Sequence, residues 1–164
     1  MSNDLSNKQL QELVEKLSWN DSFGCYTRAG FDKMVWPMIR EQARWIIYFD
    51  VDGMHDLNES FGGYEQVDAM IRKVLDGVRS SDFVAGQWKS GDEFLVCLTE
   101  NDDHNPLDPY AMMDRMIEDL GKQGLTATFG IVPVTSDPLP VILKPAVDHV
   151  YQMKKQRTKK GSRR

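Results

Sequence analysis

The sequence predicts an α/β (α+β) domain, a mixed central β-sheet flanked by helices. Three observations carry this. Arg44-Trp45-Ile46-Ile47-Tyr48-Phe49 is a β-branched and aromatic run of the kind that forms a buried central strand. Phe83–Trp88 and Glu93–Leu98 read as two further strands joined by Lys89-Ser90-Gly91-Asp92, a link of hairpin length and chemistry. Between these runs lie stretches with apolar residues at helical spacing, and strands interleaved with helices give one sheet covered by helices.

The elements follow in order. Leu5, Leu10, Leu13, Val14 and Leu17 recur at roughly helical spacing, giving a leader helix within residues 1–20. Core packing is the common fate of so short a stripe, and pairing with a second copy is the alternative. Asp21–Arg28 reads as a turn-rich connection. A helix spans about Ala29–Glu41, with Pro37 expected to kink it or end its regular part. After the central strand come a short helix, Met54–Phe61, and a longer one, Glu65–Val78. Val67, Met70, Ile71, Val74, Leu75 and Val78 form the apolar stripe of the longer helix. Beyond the hairpin, Asn101–Asp108 is an acidic loop, and Pro109 opens a helix to about Leu120. Leu125–Val134 is a strand. Pro138–Pro145 is expected to be a turn and helix entry, with the final helix running from Ala146 to about Lys159.

At 164 residues, 41% hydrophobic and 27% charged, the chain suits one domain with one core. The expected division is a leader over 1–20, the domain proper over 21–157 and a basic tail over 158–164. A net charge of −5 argues against a nucleic-acid partner. No apolar run reaches the ~20 residues of a membrane span, and the polar start lacks a secretion signal, so a cytoplasmic protein with no membrane partner is expected. Cys25 and Cys97 are too few and too isolated for a disulfide framework or a zinc site.

The chemistry gathers at the end of the central strand. Asp50 and Asp52 close an otherwise hydrophobic run, where carboxylates must face solvent, pair, or hold a metal. The two side chains are expected to leave on opposite faces, so that one joins a given site. Gly53-Met54-His55 opens a helix whose free N–H groups suit a phosphate. A second acidic pair, Asp92-Glu93, sits on the hairpin, and pairing of the hairpin beside the central strand would bring it to Asp50. Carboxylate oxygens near a phosphate site select Mg2+ or Mn2+. Taken singly, Asp92 reads as turn chemistry and Asp50 as a strand-end cap; it is the two together, with the glycine after the aspartates, that point to a site. Near the C-terminus, Lys154–Arg164 holds seven basic residues and no acidic one; the plain reading is a solvated, frayed helix end, and contact with phosphates is the preferred reading for Lys154 alone.

Phe49-Asp50-Val51-Asp52-Gly53-Met54-His55-Asp56-Leu57-Asn58 followed by Phe61-Gly62 resembles the first signature of GGDEF-domain diguanylate cyclases. Ser90-Gly91-Asp92-Glu93-Phe94 resembles the signature that names them, with Ser90 at the first glycine. Asp21–Arg28, Thr128-Phe129-Gly130-Ile131 and Asp148–Lys154 are similar to the entry motif, last strand and closing helix, so the resemblance covers about Asp21–Arg157. It implies a palm-like nucleotidyl cyclase fold that condenses two GTP into cyclic di-GMP, one GTP held by each domain of a face-to-face homodimer. Asp50, the Val51 carbonyl, Asp92 and Glu93 would hold Mg2+ or Mn2+, and Asp92 or Glu93 would help deprotonate the 3′-hydroxyl. Gly53, Met54 and His55 would contact phosphates, Asn58 guanine, Gly91 the approaching nucleotide, and Lys154 with Arg157 phosphate. The second guanine contact falls on Val67 by strict counting and on Asp68 after a one-residue shift, which rotates a helical side chain by ~100°. Arg79 and Asp82 match the family's product-inhibition pair, against the plainer reading of a helix-end ion pair. The alternative function is a weak or inactive module that binds GTP or cyclic di-GMP and signals through a protein partner.

Overall fold

The structure is a computed structural model, and it describes residues 6–53, 63–81, 83–89, 92–100 and 107–161. Within these, six strands form one mixed sheet: β1 (Trp19–Asn20), β2 (Cys25–Tyr26), β3 (Ala43–Val51), β4 (Val84–Gln87), β5 (Glu93–Thr99) and β6 (Ala127–Pro133), in the spatial order β1-β2-β4-β5-β3-β6. β2 and β4 are parallel, and every other neighbouring pair is antiparallel.

β3 is an interior strand, paired with β5 on one edge and β6 on the other, and both its faces are apolar. Ile47, Phe49 and Val51 turn to one face and Ile46 and Tyr48 to the other, all essentially inaccessible to water. On the first face lie α3 (Tyr64–Arg79), with Val67, Ile71, Val74, Leu75 and Val78 inward, and α4 (Pro109–Lys122), with Met112, Met116 and Leu120. On the second lie α2 (residues 28–39), through Phe31 and Trp36, and α5 (Leu139–Gly161), through Leu139, Ile142, Leu143, Ala146 and Val150. Gly130 permits the close approach of α5 to β6. A Cβ there would lie 2.8 Å from the Ala146 carbonyl oxygen.

Four elements differ from expectation. The stretch 21–28 carries a strand, β2, which pairs with β1 to make a hairpin of two residues per strand, too short to leave an alternating pattern. α2 begins at Arg28 and makes its accommodation before Pro37. An α-helical turn, Arg28–Gly30, passes into a π-helical turn, Phe31–Val35, then a last turn, Trp36–Ile39. α5 starts at Leu139 and runs through Pro145, because the core residues upstream of the proline lie on the same buried stripe as those after it. The leader helix α1 (Asn7–Ser18) forms with the expected register, started by a capping box between Ser6 and Gln9. Its stripe, however, is not core: Leu10, Leu13, Val14 and Leu17 are 40–65% exposed, and Ser18 is its buried residue.

Candidate functional site

Pairing of β3 with β5 sets Asp50 directly opposite Glu93, and the Val51 N–H donates to the Asp92 carbonyl over 3.1 Å. The hairpin link closes where expected, with the Trp88 N–H donating to the Glu93 carbonyl over 2.9 Å. Lys89 takes a left-handed φ of 38° in this turn, a conformation that L residues adopt rarely. The convergence of Asp50 with Asp92 and Glu93 thus follows from strand register.

Behind this pair the sheet face continues with Tyr48, whose hydroxyl donates to Glu93 Oε1. Burial, then the bond to Glu93 and the charges of Glu93, Asp50 and Asp92, push the Tyr48 hydroxyl far above the ordinary phenol range. It therefore acts as a donor that holds Glu93. Sequence reasoning passed over Tyr48 as a core residue. The signal was present, because 48, 50 and 52 alternate along one strand and share a face.

The same periodicity corrects the expectation for Asp50 and Asp52. Residues two apart lie on one side, and both carboxylates meet Lys154 from α5. Its ammonium is 2.9 Å from Asp50 Oδ1 and 3.5 Å from Asp52 Oδ1, and it donates to the Val51 carbonyl over 3.3 Å. Arg157 donates to Asp52 Oδ2 and to Thr128 Oγ1, each over 3.0 Å. Thr128 and Thr126 donate to the two Asp52 oxygens over 2.7 and 3.0 Å. Lys154 and Arg157 come together because they lie three apart on a helix and so share a face.

The two aspartates are electrostatically opposite. Burial raises the Asp50 carboxyl, Lys154 opposes this, and Asp92 and Glu93 reinforce it, leaving it above the ordinary value. Burial also acts on Asp52, but the bonds from Thr128 and Thr126 and the charges of Lys154 and Arg157 outweigh it, leaving Asp52 below its ordinary value. Asp50 Oδ1 is buried and has no aligned hydrogen-bond donor. Its contact with Lys154 is an ion pair by distance.

The Asp50 carboxylate, a backbone carbonyl already turned to a cation and an acidic pair across the strand are hard oxygen donors of the kind magnesium takes. Among the described residues no group of three or more His, Cys, Asp or Glu side chains forms a ready cage. Magnesium is commonly bound through one or two carboxylates together with substrate phosphates and does not need such a cage.

Gly53, in the turn that follows β3, has a left-handed φ of 61°, which suits glycine. Met54, His55, Asn58, Ser90, Gly91 and Asp82 lie outside the described residues. On α3, Val67 is fully buried in the core and Asp68 is half-buried. Asp68 is thus the side chain of the two that reaches the helix surface, and burial, then Glu65, raises its carboxyl. Arg79 pairs with Asp76 one turn earlier and lies over the Trp19 ring at 5.2 Å.

No protein-family model and no curated protein matches this chain. Solved structures do. A microbial GGDEF domain, described in its interaction with cyclic di-GMP, superposes with a TM-score of 0.67 at 17% identity over 88% of this chain and 94% of that one. The chain has the GGDEF-domain fold. The coiled coil and GGDEF domain of DgcB from Caulobacter crescentus, in complex with c-di-GMP, gives a TM-score of 0.69 at 13% identity, covering 91% of this chain and 86% of that one. Diguanylate cyclase SiaD from Pseudomonas aeruginosa, with its activator SiaC, gives 0.67 at 16% identity over 91% of this chain. This chain spans 63% of SiaD. The palm-like sheet expected from the sequence is therefore present, and in this GGDEF fold the acidic pair occupies the hairpin beside the central strand. Among the described residues no helix is long and apolar enough to cross a membrane.

Proposed function

We propose that the chain is a diguanylate cyclase that condenses two GTP into cyclic di-GMP with release of two pyrophosphates. The observation that carries this is the Asp50 carboxylate set directly across from Glu93, with Lys154 of α5 on Asp50 and Arg157 on the neighbouring Asp52.

Asp50 and the Val51 carbonyl, with Asp92 and Glu93, would hold Mg2+ or Mn2+. Bound there, the ion would supply Lewis-acid stabilisation of charge on the phosphoryl oxygens. The chain's own residues divide the remaining work. Asp92 or Glu93 accepts the proton of the 3′-hydroxyl of one GTP. That oxygen forms a bond to the α-phosphorus of the second GTP, and the bond from the α-phosphorus to the bridging oxygen of the departing pyrophosphate breaks. Tyr48 keeps Glu93 in place by donating to one of its carboxylate oxygens. Lys154 and Arg157 supply positive charge to the phosphates, and the exposed Arg157 guanidinium is planar and well matched to phosphate oxygens. Gly53, Met54 and His55 provide backbone contacts, and Asn58 with Asp68 the guanine contacts. Each bond needs two nucleotides from two domains, so the working form is a face-to-face homodimer.

The test is to incubate the pure protein with GTP, or with ATP, plus Mg2+ or Mn2+ and resolve the products by chromatography. Cyclic di-GMP is expected from GTP, and Asp92→Ala should abolish it while keeping the wild-type circular dichroism spectrum. No cyclic dinucleotide at high protein concentration would overturn the cyclase reading. Calorimetric binding of cyclic di-GMP by that inactive protein would then establish the receptor alternative.

A further inference from the structure

The Lys154 ammonium reaches the Asp50 carboxylate at 2.9 Å and the Val51 carbonyl at 3.3 Å. These are the two oxygens assigned above to the divalent cation. A divalent cation at the same oxygens would stand close to the ammonium, and like charges at such distances repel strongly in a partly buried site. The same ammonium also has a second carboxylate within 3.5 Å, Asp52.

The two carboxylates are built differently. Asp52 is fixed by Thr126, Thr128 and Arg157, and its backbone N–H donates to the Thr126 carbonyl over 2.9 Å. Asp50 Oδ1 has no aligned donor. A carboxylate met by the one flexible side chain of Lys154 exchanges that partner more easily than one held by three. Lysine suits such an exchange, being a compact charge on a flexible four-carbon stem. Its side chain is 30% exposed.

We propose that Lys154 is a tethered counter-ion that competes with the divalent cation for Asp50 and Val51, and that Asp52 is its second station. On this reading the cation enters as the ammonium leaves Asp50 for Asp52. The displaced ammonium then stands beside the incoming phosphates instead of within the cation's ligand set. Arg157, by holding Asp52 still, keeps that second station in place. Lys154 would thus couple cation entry to the readiness of the phosphate contact. The inference rests on the reading that Asp50 holds the cation, and the experiment separates failure of the one from failure of the other.

The probe is Mn2+ alone, without nucleotide, followed through the electron paramagnetic resonance signal of the free ion. Four proteins are compared: wild type, Lys154→Met, Arg157→Met and Asp50→Asn. Removing the competitor should tighten Mn2+ binding about tenfold in Lys154→Met, since contact electrostatics in a half-buried site exceed those across solvent. Arg157→Met removes the same charge from the same helix without freeing an Asp50 contact, and should tighten binding by about twofold or less. Asp50→Asn should lose the site. If Asp50→Asn binds Mn2+ like wild type, the site assignment fails, and the competition with it. If Asp50→Asn loses binding but Lys154→Met is no tighter than Arg157→Met, competition is overturned and the site stands. Binding by Lys154→Met where wild type shows none supports the proposal, and binding by neither overturns it. Lys154→Gln repeats the measurement should Lys154→Met lose its circular dichroism spectrum.

Discussion

Between Ile46 and Phe49, β3 is apolar on both faces, hydrogen-bonded on both edges and at most 1% exposed. A few residues further along the same chain, Asp50 and Asp52 bring two carboxylates to the sheet's end, with side chains 17% and 21% exposed. One ladder holds both halves, since register with β5 and β6 continues through Asp50. The middle of the strand has two packed layers to stabilise it. The end has a buried carboxyl whose charge is disfavoured by burial and only partly answered by Lys154. A rigid, over-determined strand is what allows an unfavourable carboxylate to be held in position, and such groups cluster where chemistry is done.

This contrast can be broken, beginning with the largest effect. Phe49→Ala removes a fully buried ring that stacks on Phe94 and Phe129, and should cost about 3–5 kcal/mol in urea unfolding. A loss below 1 kcal/mol, well under the usual range for such sites, would mean that the middle of β3 is not the core of the fold. Gly130→Ala forces a Cβ into the Ala146 backbone and should cost about 1–3 kcal/mol, read from the thermal midpoint.

At the polar end the effects shrink and change sign. Asp52→Asn should cost about 1 kcal/mol at pH 7, through its bonds to Thr126, Thr128 and Arg157. The folded-state pKa of Asp52 is depressed, so its contribution is present above the unfolded value and is lost as pH falls through the folded one. The gap between wild type and Asp52→Asn should therefore close in acid. Asp50 has the opposite sign. Its folded-state pKa is raised, so its stabilising contribution is complete below the unfolded value of about 3.9 and is lost as pH rises through the folded one. Asp50→Asn should accordingly melt higher than wild type at neutral pH, with the advantage vanishing in acid. The smallest expected effect is none at all. Burial pushes both thiols to about 12, the charge of Arg79 only partly opposing this at Cys25, so iodoacetamide at pH 8 should leave folded Cys25 and Cys97 unmodified.

Much of the fold was legible where local pattern and tertiary fate agree. β3, β5 and α3 are strongly patterned, and their apolar residues are the ones buried. α1 and α3 show where pattern stops being informative. Both are amphipathic helices, yet the α3 stripe is core and the α1 stripe faces solvent, because periodicity fixes a helix face and not what lies against it. β1 and β2 were illegible because two residues carry no alternation. Pro145 marked a false boundary, since packing on β6 carries α5 across it.

The site was legible in its carboxylates and not in its supports. Asp50, Asp92 and Glu93 stand out as charges in or beside apolar strands. Tyr48, Thr126 and Thr128 do not, because a buried tyrosine and two strand threonines are ordinary until register places their hydroxyls on Glu93 and Asp52. Asp52 itself was recoverable from the period of two along β3.

The central claim is that Asp50 is retained for chemistry at a cost to the fold. It is tested by following pyrophosphate release from GTP with Mn2+ in wild type and Asp50→Asn, alongside their melting temperatures. The expected result is a loss of about 100-fold or more in rate with a melting temperature equal to or above wild type. Full activity in Asp50→Asn, or no GTP-dependent release by the wild-type protein, would contradict it.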